Sequence, residues 1–521
     1  MHKNRLVFNM VFILILVSAA LGNTSIVAQA KTEYLNLDPH LLQLAKAHPN
    51  FVFPIIVQKN MKNKNLPDDT PEIAVGKEQG KIHNNKKMSL IAGFSADLTG
   101  KQIANLAKNP KVRWISLDAP LFTSDFTSDP VNSSALLNVY DSAVGADKLW
   151  TEPPYLDGSG VTVAVVDSGI TADPDLQASG SSSSRIIAST TVVPNSTSTD
   201  DGYGHGTHVA GILGGNGNME AGQRIGIAPN VNLVNVKVSA DNGMVLGSDL
   251  VTALQWVYDN RATYNIKVVN ISSNSTVAES YNTSPIDAAV EVLWFNGVVV
   301  VVSAGNSSSG AVYPPANDPF AITVGATDDM GTASINDDAV ASFSTYGITE
   351  DGFAKPELVA PGRNIISLLA STSDNIYLNH PANRVDDSYF RMSGTSMSAP
   401  MVSGAVALLL ENEPSLNPDQ VKYRLMATAN QDWPGYSSSS AGAGYLDAYA
   451  AVQDATTGTA NTGVPPSQML STGGNSIAWN SVGWNSVGWN SVGWNSVGWN
   501  SVGWNSVGWN SVGWNSDYWG N

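Results

Sequence analysis

Short apolar runs alternate with amphipathic stretches over most of the chain. Val- and Ile-rich runs occur at 161–166, 231–238, 267–271, 298–302 and 322–324, and stretches with helical periodicity lie between them at 248–260 and 285–295. Strands that are apolar at consecutive positions are typical of a parallel sheet covered by helices on both faces. The pattern predicts an α/β body at residues 140–455, with its active site just after the carboxyl ends of the strands.

The first thirty residues have the pattern of a secretory signal peptide. Lys3 and Arg5 precede an apolar run at 6–21, and Ala28-Gln29-Ala30 supplies a small-residue cleavage pattern. An uncleaved membrane anchor is the alternative, although the run is shorter than the ~20 apolar residues that a spanning helix needs. We expect cleavage near residue 30 and a secreted, extracellular product without further membrane contact.

Residues 31–125 form a basic segment of different character. Three apolar runs, at 51–57, 88–94 and 112–117, accompany a helix-like stretch at 98–106. This combination predicts a small α+β domain. A region rich in Ser, Asp and Pro follows it and separates it from the main body.

The chain ends in a repeat. After a linker at 456–480, the unit Ser-Val-Gly-Trp-Asn occurs seven times within residues 481–521, and Trp recurs every five residues from Trp479 to Trp519. A step of five aligns the rings neither on a helix nor on one face of a strand. Two interpretations remain open: a flexible low-complexity tail, and an aromatic surface that binds a cell surface, polysaccharide or protein.

Charge and cysteine content exclude several functions. Residues 1–118 hold 15 basic and 8 acidic side chains, and the remainder holds 12 and 36, so the two parts carry +7 and −24. An acidic main body argues against nucleic acid as its partner. The chain has no Cys, which removes disulfides, thiol nucleophiles and thiolate metal sites. A nucleophile must therefore be oxygen-based or activated by a metal.

Two motifs place a carboxylate and an imidazole at predicted element ends. Asp167 directly follows the run at 161–166, where a carboxylate can hold an imidazole in the tautomer that accepts a proton. His205 lies in Gly-His-Gly-Thr-His, at a glycine-flanked helix start, with His208 one turn later. A metal site built on the two histidines is an alternative, but the Glu of a zinc-protease motif is missing.

Two further motifs complete a set for acyl transfer. Ser396 precedes a long stretch of small and apolar residues at 401–410, so a helix amino terminus would stabilise negative charge at its hydroxyl. Asn306 follows the run at 298–302, and its amide can donate a hydrogen bond to an oxyanion. Each motif alone is typical of a cap or a turn, and only their combination indicates catalysis.

In the order Asp, His, Asn, Ser, these four motifs resemble the subtilisin family of serine proteases, in detail its AprX-like bacterial branch. The resemblance implies a three-layer α/β/α fold with a mostly parallel central sheet. It also implies a secreted serine endopeptidase that acts on protein or peptide substrates through Asp167, His205 and Ser396, with an acyl-enzyme intermediate and Asn306 as oxyanion donor. Catalysis of this kind needs no cofactor.

The resemblance has implications for the other segments. Residues 31–125 resemble the inhibitory, chaperone-like propeptide of the family, so the protein is expected to be a zymogen that processes itself and has its own propeptide as a partner. Many relatives bind a structural Ca²⁺, and acidic loops occur at 199–201 and 327–329. No spacing specifies a ligand set, so the metal ligands stay open.

The chain departs from the family at the substrate cleft. Ser272, Ser273, Asn274 and Gly305 match substrate-binding positions, but the family usually has Leu and Gly where this chain has Ser273 and Asn274. We therefore expect a more polar cleft. A strong preference for large apolar side chains before the cut would contradict that expectation.

Two rival functions remain for comparison. A lipase or esterase of the α/β-hydrolase type also uses Ser, His and Asp, but its G-x-S-x-G motif and its order of residues are absent. The other rival is a secreted adhesion protein in which an inactive protease fold carries the Trp-rich tail. Nothing in the four filled catalytic positions favours inactivity.

Overall fold

The computed structural model describes residues 36–61, 65–83, 86, 88–122 and 136–470. The predicted signal peptide (1–30) and Trp repeat (481–521) lie outside the described residues. Residues 36–117 form a small α+β unit, and residues 136–470 form a larger α/β body.

The amino-terminal unit has a four-stranded sheet with an apolar core of its own. Its elements are α1 (Pro39–Ala47), β1 (Val52–Lys59), α2 (Thr70–Lys77), β2 (Lys81–Ile82), β3 (Gly93–Thr99), α3 (Gly100–Leu106) and β4 (Val112–Leu117). The strand order is β2-β3-β1-β4, and all neighbours are antiparallel. Side-chain caps start α1 and α3, because Asp38 accepts the Leu41 N–H at 2.8 Å and Thr99 forms a capping box with Gln102.

The apolar run at 88–94 is not a strand, which differs from the expectation. A 3-10 turn occupies Ser89–Ile91, and β3 begins only at Gly93. Met88, Leu90 and Ile91 are buried in the core of the α/β body rather than in that of the small unit. Apolar residues that dock on a second unit produce the same pattern as a buried strand, so the sequence could not separate the two.

The strand β5 (Pro120–Phe122) follows β4 in the chain, and the helices and strands of the α/β body come after it. Its helices are α4 (Tyr140–Ala143), α5 (Ala146–Thr151), α6 (His205–Gly214), α7 (Gly247–Asn260), α8 (Pro285–Phe295), α9 (Asn375–Asn379), α10 (Thr395–Asn412), α11 (Pro418–Thr428), α12 (Ser438–Ala441) and α13 (Ala448–Gln453). Its strands are β6 (Thr162–Asp167), β7 (Ile186–Thr191), β8 (Asn232–Lys237), β9 (Val245–Leu246), β10 (Ile266–Ile271), β11 (Asn274–Ser275), β12 (Val299–Ser303), β13 (Ile322–Asp328), β14 (Ala339–Val340), β15 (Gly347–Ile348), β16 (Ala354–Lys355), β17 (Leu358–Pro361), β18 (Ile365–Leu368) and β19 (Tyr389–Met392).

The central sheet is mostly parallel, as predicted. Its order is β14-β13-β12-β10-β6-β8-β7, and β17 pairs in parallel with β13. Only the β13–β14 pair of this sheet is antiparallel among the described residues. Helices α6 and α10 pack against each other and on the strands, and α7 packs on α8. Nearly every residue of β6, β10 and β12 is buried, which explains their continuous apolar pattern.

A buried ionic network joins three segments of the body. Glu357 Oε1 accepts hydrogen bonds from Lys355 Nζ and Lys422 Nζ, each at 2.7 Å, and its Oε2 accepts the Thr323 N–H at 2.8 Å. Burial raises the pKa of Glu357, but the two ammonium groups outweigh burial and hold it below its ordinary value. Burial lowers the pKa of Lys355 to about 8. The carboxylate therefore stays ionised in the core.

The chain after α13 runs along the body as far as residue 470. Both carboxylate oxygens of the buried Glu291 in α8 accept the Ser467 N–H, at 2.9 and 3.0 Å. Arg113 of β4 donates to the Met469 carbonyl oxygen at 3.0 Å, so this segment contacts both units. Over the described part of the chain, we find no helix with the length and apolar character needed to cross a membrane.

Candidate active site

Asp167 is the last residue of β6, in the middle of the central sheet. Only 6% of its surface is exposed. Its Oδ1 accepts the Ser168 N–H at 2.7 Å and lies 2.7 Å from His205 Nδ1. The carboxylate is therefore fixed from its own strand end and directed at the imidazole.

His205 is the first residue of α6 and is fully buried. Gly204 precedes it with a φ of 103°, and a Cβ there would lie 2.7 Å from the Asp374 carboxylate, so the residue before the imidazole has to be glycine. His208, one turn later, has its Nε2 at 3.1 Å from the Phe390 carbonyl oxygen. That contact is structural and holds α6 against β19.

Asp201 supports this arrangement, a role that the sequence reading missed. Its carboxylate accepts the Gly204 N–H at 2.7 Å, the Thr207 N–H at 2.8 Å and the Ser168 hydroxyl at 2.7 Å. It therefore ties the start of α6 to the end of β6, and burial raises its pKa. An Asp shortly before a helix start is a typical capping signal that could have identified it.

Ser396 is the second residue of the 18-residue helix α10 and is 2% exposed. Its hydroxyl donates to the Ser272 carbonyl oxygen at 3.2 Å. Pro400, four residues later, has no N–H to bond the Ser396 carbonyl, which instead accepts the Ser272 hydroxyl at 3.3 Å. Two reciprocal contacts thus attach the start of α10 to the segment that follows β10.

Asn306 contacts the residue before Ser396. Its Oδ1 accepts the Thr395 N–H at 2.9 Å and the Thr395 hydroxyl at 3.0 Å, and Thr395 Oγ1 in turn accepts the Gly305 N–H at 3.0 Å. These bonds fix the oxygen end of the amide against α10. Gly305 has a φ of 102°, which explains a glycine at this turn.

The predicted site residues come together at one edge of the sheet. Strands β6, β10 and β12 are neighbours, with Val166 opposite Ile271 and Ile271 opposite Val302. Asp167, Ser272 and Ser303 therefore follow one another across the sheet, about 5 Å apart. The contacts above attach His205 to the first of these segments and Ser396 to the second.

The remaining cleft residues lie beside this edge. Ser273 lines a small cavity together with Asp167 and Leu121 of β5. Asn274 Nδ2 donates to the Ser303 carbonyl oxygen at 2.8 Å. This contact joins the segment of Ser272, Ser273 and Asn274 to the segment of Gly305, the residues matched from sequence as substrate-binding.

The extended strand β5, which follows the amino-terminal unit in the chain, occupies this cleft. β5 pairs antiparallel with β9 on one side and β11 on the other, with Leu121 opposite Val245 and Phe122 opposite Asn274. Leu121 is fully buried, whereas Phe122 is 40% exposed. The cleft therefore accepts an extended chain through backbone pairing on both sides.

One carboxylate in each of the two acidic loops is bonded to protein groups. The Asp201 carboxylate is bonded to two backbone N–H groups and a hydroxyl, and Asp328 forms an ion pair with Arg363 at 2.9 Å. No group of three or more His, Asp or Glu side chains in the described ranges is arranged to hold a metal ion. The structural Ca²⁺ considered from sequence stays a prediction.

Comparisons with known proteins agree with this geometry. The sequence profile of the Subtilase family, Peptidase_S8, matches residues 158–449. Serine protease AprX of Bacillus subtilis (strain 168) is 35% identical, over 71% of this chain and 88% of that protein. Subtilisin Savinase of Lederbergia lenta is also 35% identical, over 53% of this chain and 85% of that protein.

A solved structure adds the fold. Fervidolysin from Fervidobacterium pennivorans, described as a keratinolytic enzyme related to subtilisin, superposes with a TM-score of 0.60 at 26% identity. The match covers 78% of this chain and 61% of fervidolysin, which is less than two thirds of its length. These findings make the α/β-hydrolase alternative wrong. The chain belongs to the subtilase family and is a subtilisin-like serine endopeptidase.

Proposed function

We propose that the endopeptidase uses Asp167, His205 and Ser396 as its catalytic triad. The observation that carries the proposal is the 2.7 Å contact between Asp167 Oδ1 and His205 Nδ1, at the sheet edge where the Ser396 hydroxyl lies. With Nδ1–H bonded to the carboxylate, His205 Nε2 is the proton acceptor. It takes the hydroxyl proton as Ser396 Oγ attacks a peptide carbonyl carbon.

The same imidazole completes the reaction. It protonates the leaving amine, so that the peptide bond breaks and an ester to Ser396 remains. Water then attacks this acyl-enzyme, His205 accepts its proton, and the carboxylic acid leaves as the serine hydroxyl re-forms. Asp167 holds the tautomer and stabilises the imidazolium in both halves.

Asn306 is the proposed oxyanion donor, together with the Ser396 N–H. The contacts of its Oδ1 with Thr395 support this, because they fix the oxygen end of the amide against α10 and so set the orientation of its nitrogen end. Removal of one such donor costs about 3–4 kcal/mol of transition-state stabilisation, a value measured in subtilisin itself.

Residues 31–125 are proposed to be an inhibitory propeptide, so that the protein is made as a self-processing zymogen. Pairing of β5 with β9 and β11 supports this, since the strand lies where an extended substrate would lie. Asp118 also caps α7 of the body, accepting the Ser248 N–H at 2.7 Å. Lys86 forms an ion pair with Asp249 at 2.8 Å, which joins the basic segment to the acidic body.

Secretion remains a proposal from the signal-like pattern at residues 1–30. The Trp repeat at 481–521 is proposed to bind a cell surface, polysaccharide or protein. The substrates are proposed to be proteins or peptides, in line with the family.

Casein hydrolysis by the full chain and its Ser396→Ala variant tests the triad. We expect the parent to hydrolyse casein, the variant to lose hydrolysis, and a form without the tail to stay active. Amino-terminal sequencing and intact mass should show a new amino terminus between about residues 118 and 144 in the parent, and the propeptide retained in Ser396→Ala. Hydrolysis that survives this substitution would reject Ser396 as the nucleophile.

A further inference from the structure

The β5 strand reveals the register of an extended chain in the cleft. Phe122 lies opposite Asn274, and Leu121 lies opposite Ser275. A substrate that continues this register places its next two residues opposite Ser273 and then Ser272. The Ser272 carbonyl oxygen lies 3.2 Å from Ser396 Oγ. The substrate residue opposite Ser272 therefore presents its carbonyl carbon to the nucleophile, and we call it the pre-cleavage residue.

Strand alternation determines which face receives the side chain of the pre-cleavage residue. Directly opposite residues of an antiparallel pair share a face, and successive residues alternate between faces. Leu121 lines a cavity with Ser273, which is the face of Ser273 and Ser275. The pre-cleavage side chain belongs to the other face, together with the side chains of Ser272 and Asn274.

On that face the side chain of Asn274 crosses the space between two segments of the site. Its Nδ2 donates to the Ser303 carbonyl oxygen at 2.8 Å, and its Oδ1 accepts the Ser303 hydroxyl at 3.3 Å. Its Oδ1 also lies 3.6 Å from the position of a Cβ on Gly305. The amide thus bridges residues 272–274 and residues 303–305, the two segments between which the pre-cleavage side chain must enter.

We propose that Asn274 determines specificity by narrowing this pocket, so that the enzyme cleaves after small residues such as Ala or Ser. The inference rests on the proposed catalytic role of Ser396, which defines where the cut falls. A large side chain would have to displace the amide and break both of its hydrogen bonds with Ser303. A glycine at position 274 would leave the same space open. The hydroxyls of Ser303 and Thr345 beside Gly305 suit a small polar side chain.

Peptide p-nitroanilides that differ only in the pre-cleavage residue test this proposal. With self-processed full-chain enzyme, we expect kcat/KM for Ala to exceed that for Phe at least tenfold. In Asn274→Gly, the ratio of kcat/KM for Phe to that for Ala should rise at least tenfold. Asn336→Gly, an exposed Asn on a distant loop, is the matched control and should keep the parental ratio.

The outcomes distinguish a failure of the inference about Asn274 from a failure of the proposed catalytic role of Ser396. Faster cleavage after Phe than after Ala by the parent overturns the inference, as does a Phe-to-Ala ratio that stays within twofold in Asn274→Gly. If Asn274→Gly does not fold, the ratio of kcat/KM for Phe to that for Ala in the parent decides by itself. Release of p-nitroaniline from every substrate at the same rate by the parent and Ser396→Ala rejects the proposed function and the inference with it.

Discussion

Glu357→Gln should destabilise the body strongly, although the residue lies outside the active site. The substitution removes the negative charge that faces the two buried ammonium groups of Lys355 and Lys422, each 2.7 Å away. It also sets an amide NH₂ against either the ammonium groups or the Thr323 N–H. Both orientations leave a buried donor facing another donor.

The size of the effect follows from the contacts that survive. Lys355 Nζ keeps the Asp318 carbonyl oxygen and the Thr323 hydroxyl, and Lys422 Nζ keeps the carbonyl oxygens of Pro319 and Ala321. The loss is therefore that of the buried charge partner, which costs about 3–5 kcal/mol. For a domain of this size, we expect Tm to fall on the order of 10 °C.

The penalty should depend on pH in a defined direction. Because the folded-state pKa of Glu357 lies below its ordinary value of 4.5, the stabilisation is complete above pH 4.5 and is lost as pH falls through the folded-state pKa. The difference between Glu357→Gln and its parent should thus be full at neutral pH and shrink in acid.

Thermal unfolding followed by circular dichroism measures the Tm of each protein at each pH. Every protein carries Ser396→Ala to prevent self-digestion. Glu350→Gln is the matched control, because Glu350 is exposed and its substitution should change stability by less than about 0.5 kcal/mol. A Tm change below 2 °C at neutral pH, or a penalty that is the same at pH 3.5, would refute the reasoning.

Two further substitutions test the support of the site. Asp201→Asn should lower kcat roughly 10- to 100-fold with little change in KM. The reason is that one carboxylate oxygen, which accepts hydrogen bonds from buried N–H or O–H groups, becomes an NH₂ donor. Asp200→Asn changes an exposed neighbour and should have the kcat of the parent. Gly206→Ala should lower kcat at least tenfold, because its Cβ would overlap the Gly169 carbonyl oxygen and shift the start of α6. Parental kcat in Asp201→Asn or Gly206→Ala would contradict these roles.

The elements predicted best from sequence are those with local signals. The helix at 285–295 has its predicted bounds because Ser284 caps it and Pro285 opens it. The strands before Asp167 and Asn306 were recognised because every one of their residues is buried, which leaves a continuous apolar run. The apolar run at 88–94 was wrongly predicted to be a strand, because several of its apolar residues are buried in the core of the α/β body.

Contacts between distant segments were beyond sequence reasoning. Asp201 lay in a loop considered for calcium, and only the fold turns its carboxylate towards the N–H groups of α6. The Asn274–Ser303 bridge joins residues 29 apart, and the Ser272–Ser396 pair joins residues 124 apart. Neither pair leaves a periodic signal, because each depends on where two strand ends meet.

The sequence alone determined the parallel α/β architecture and the residue types that the chemistry requires, since apolar runs, caps and motifs are properties of short segments. The tertiary structure decided which side chains meet, which strand lies in the cleft and which two segments Asn274 joins. Those features depend on the order of strands in the sheet and on the face each residue occupies, and a one-residue change in register would alter all of them.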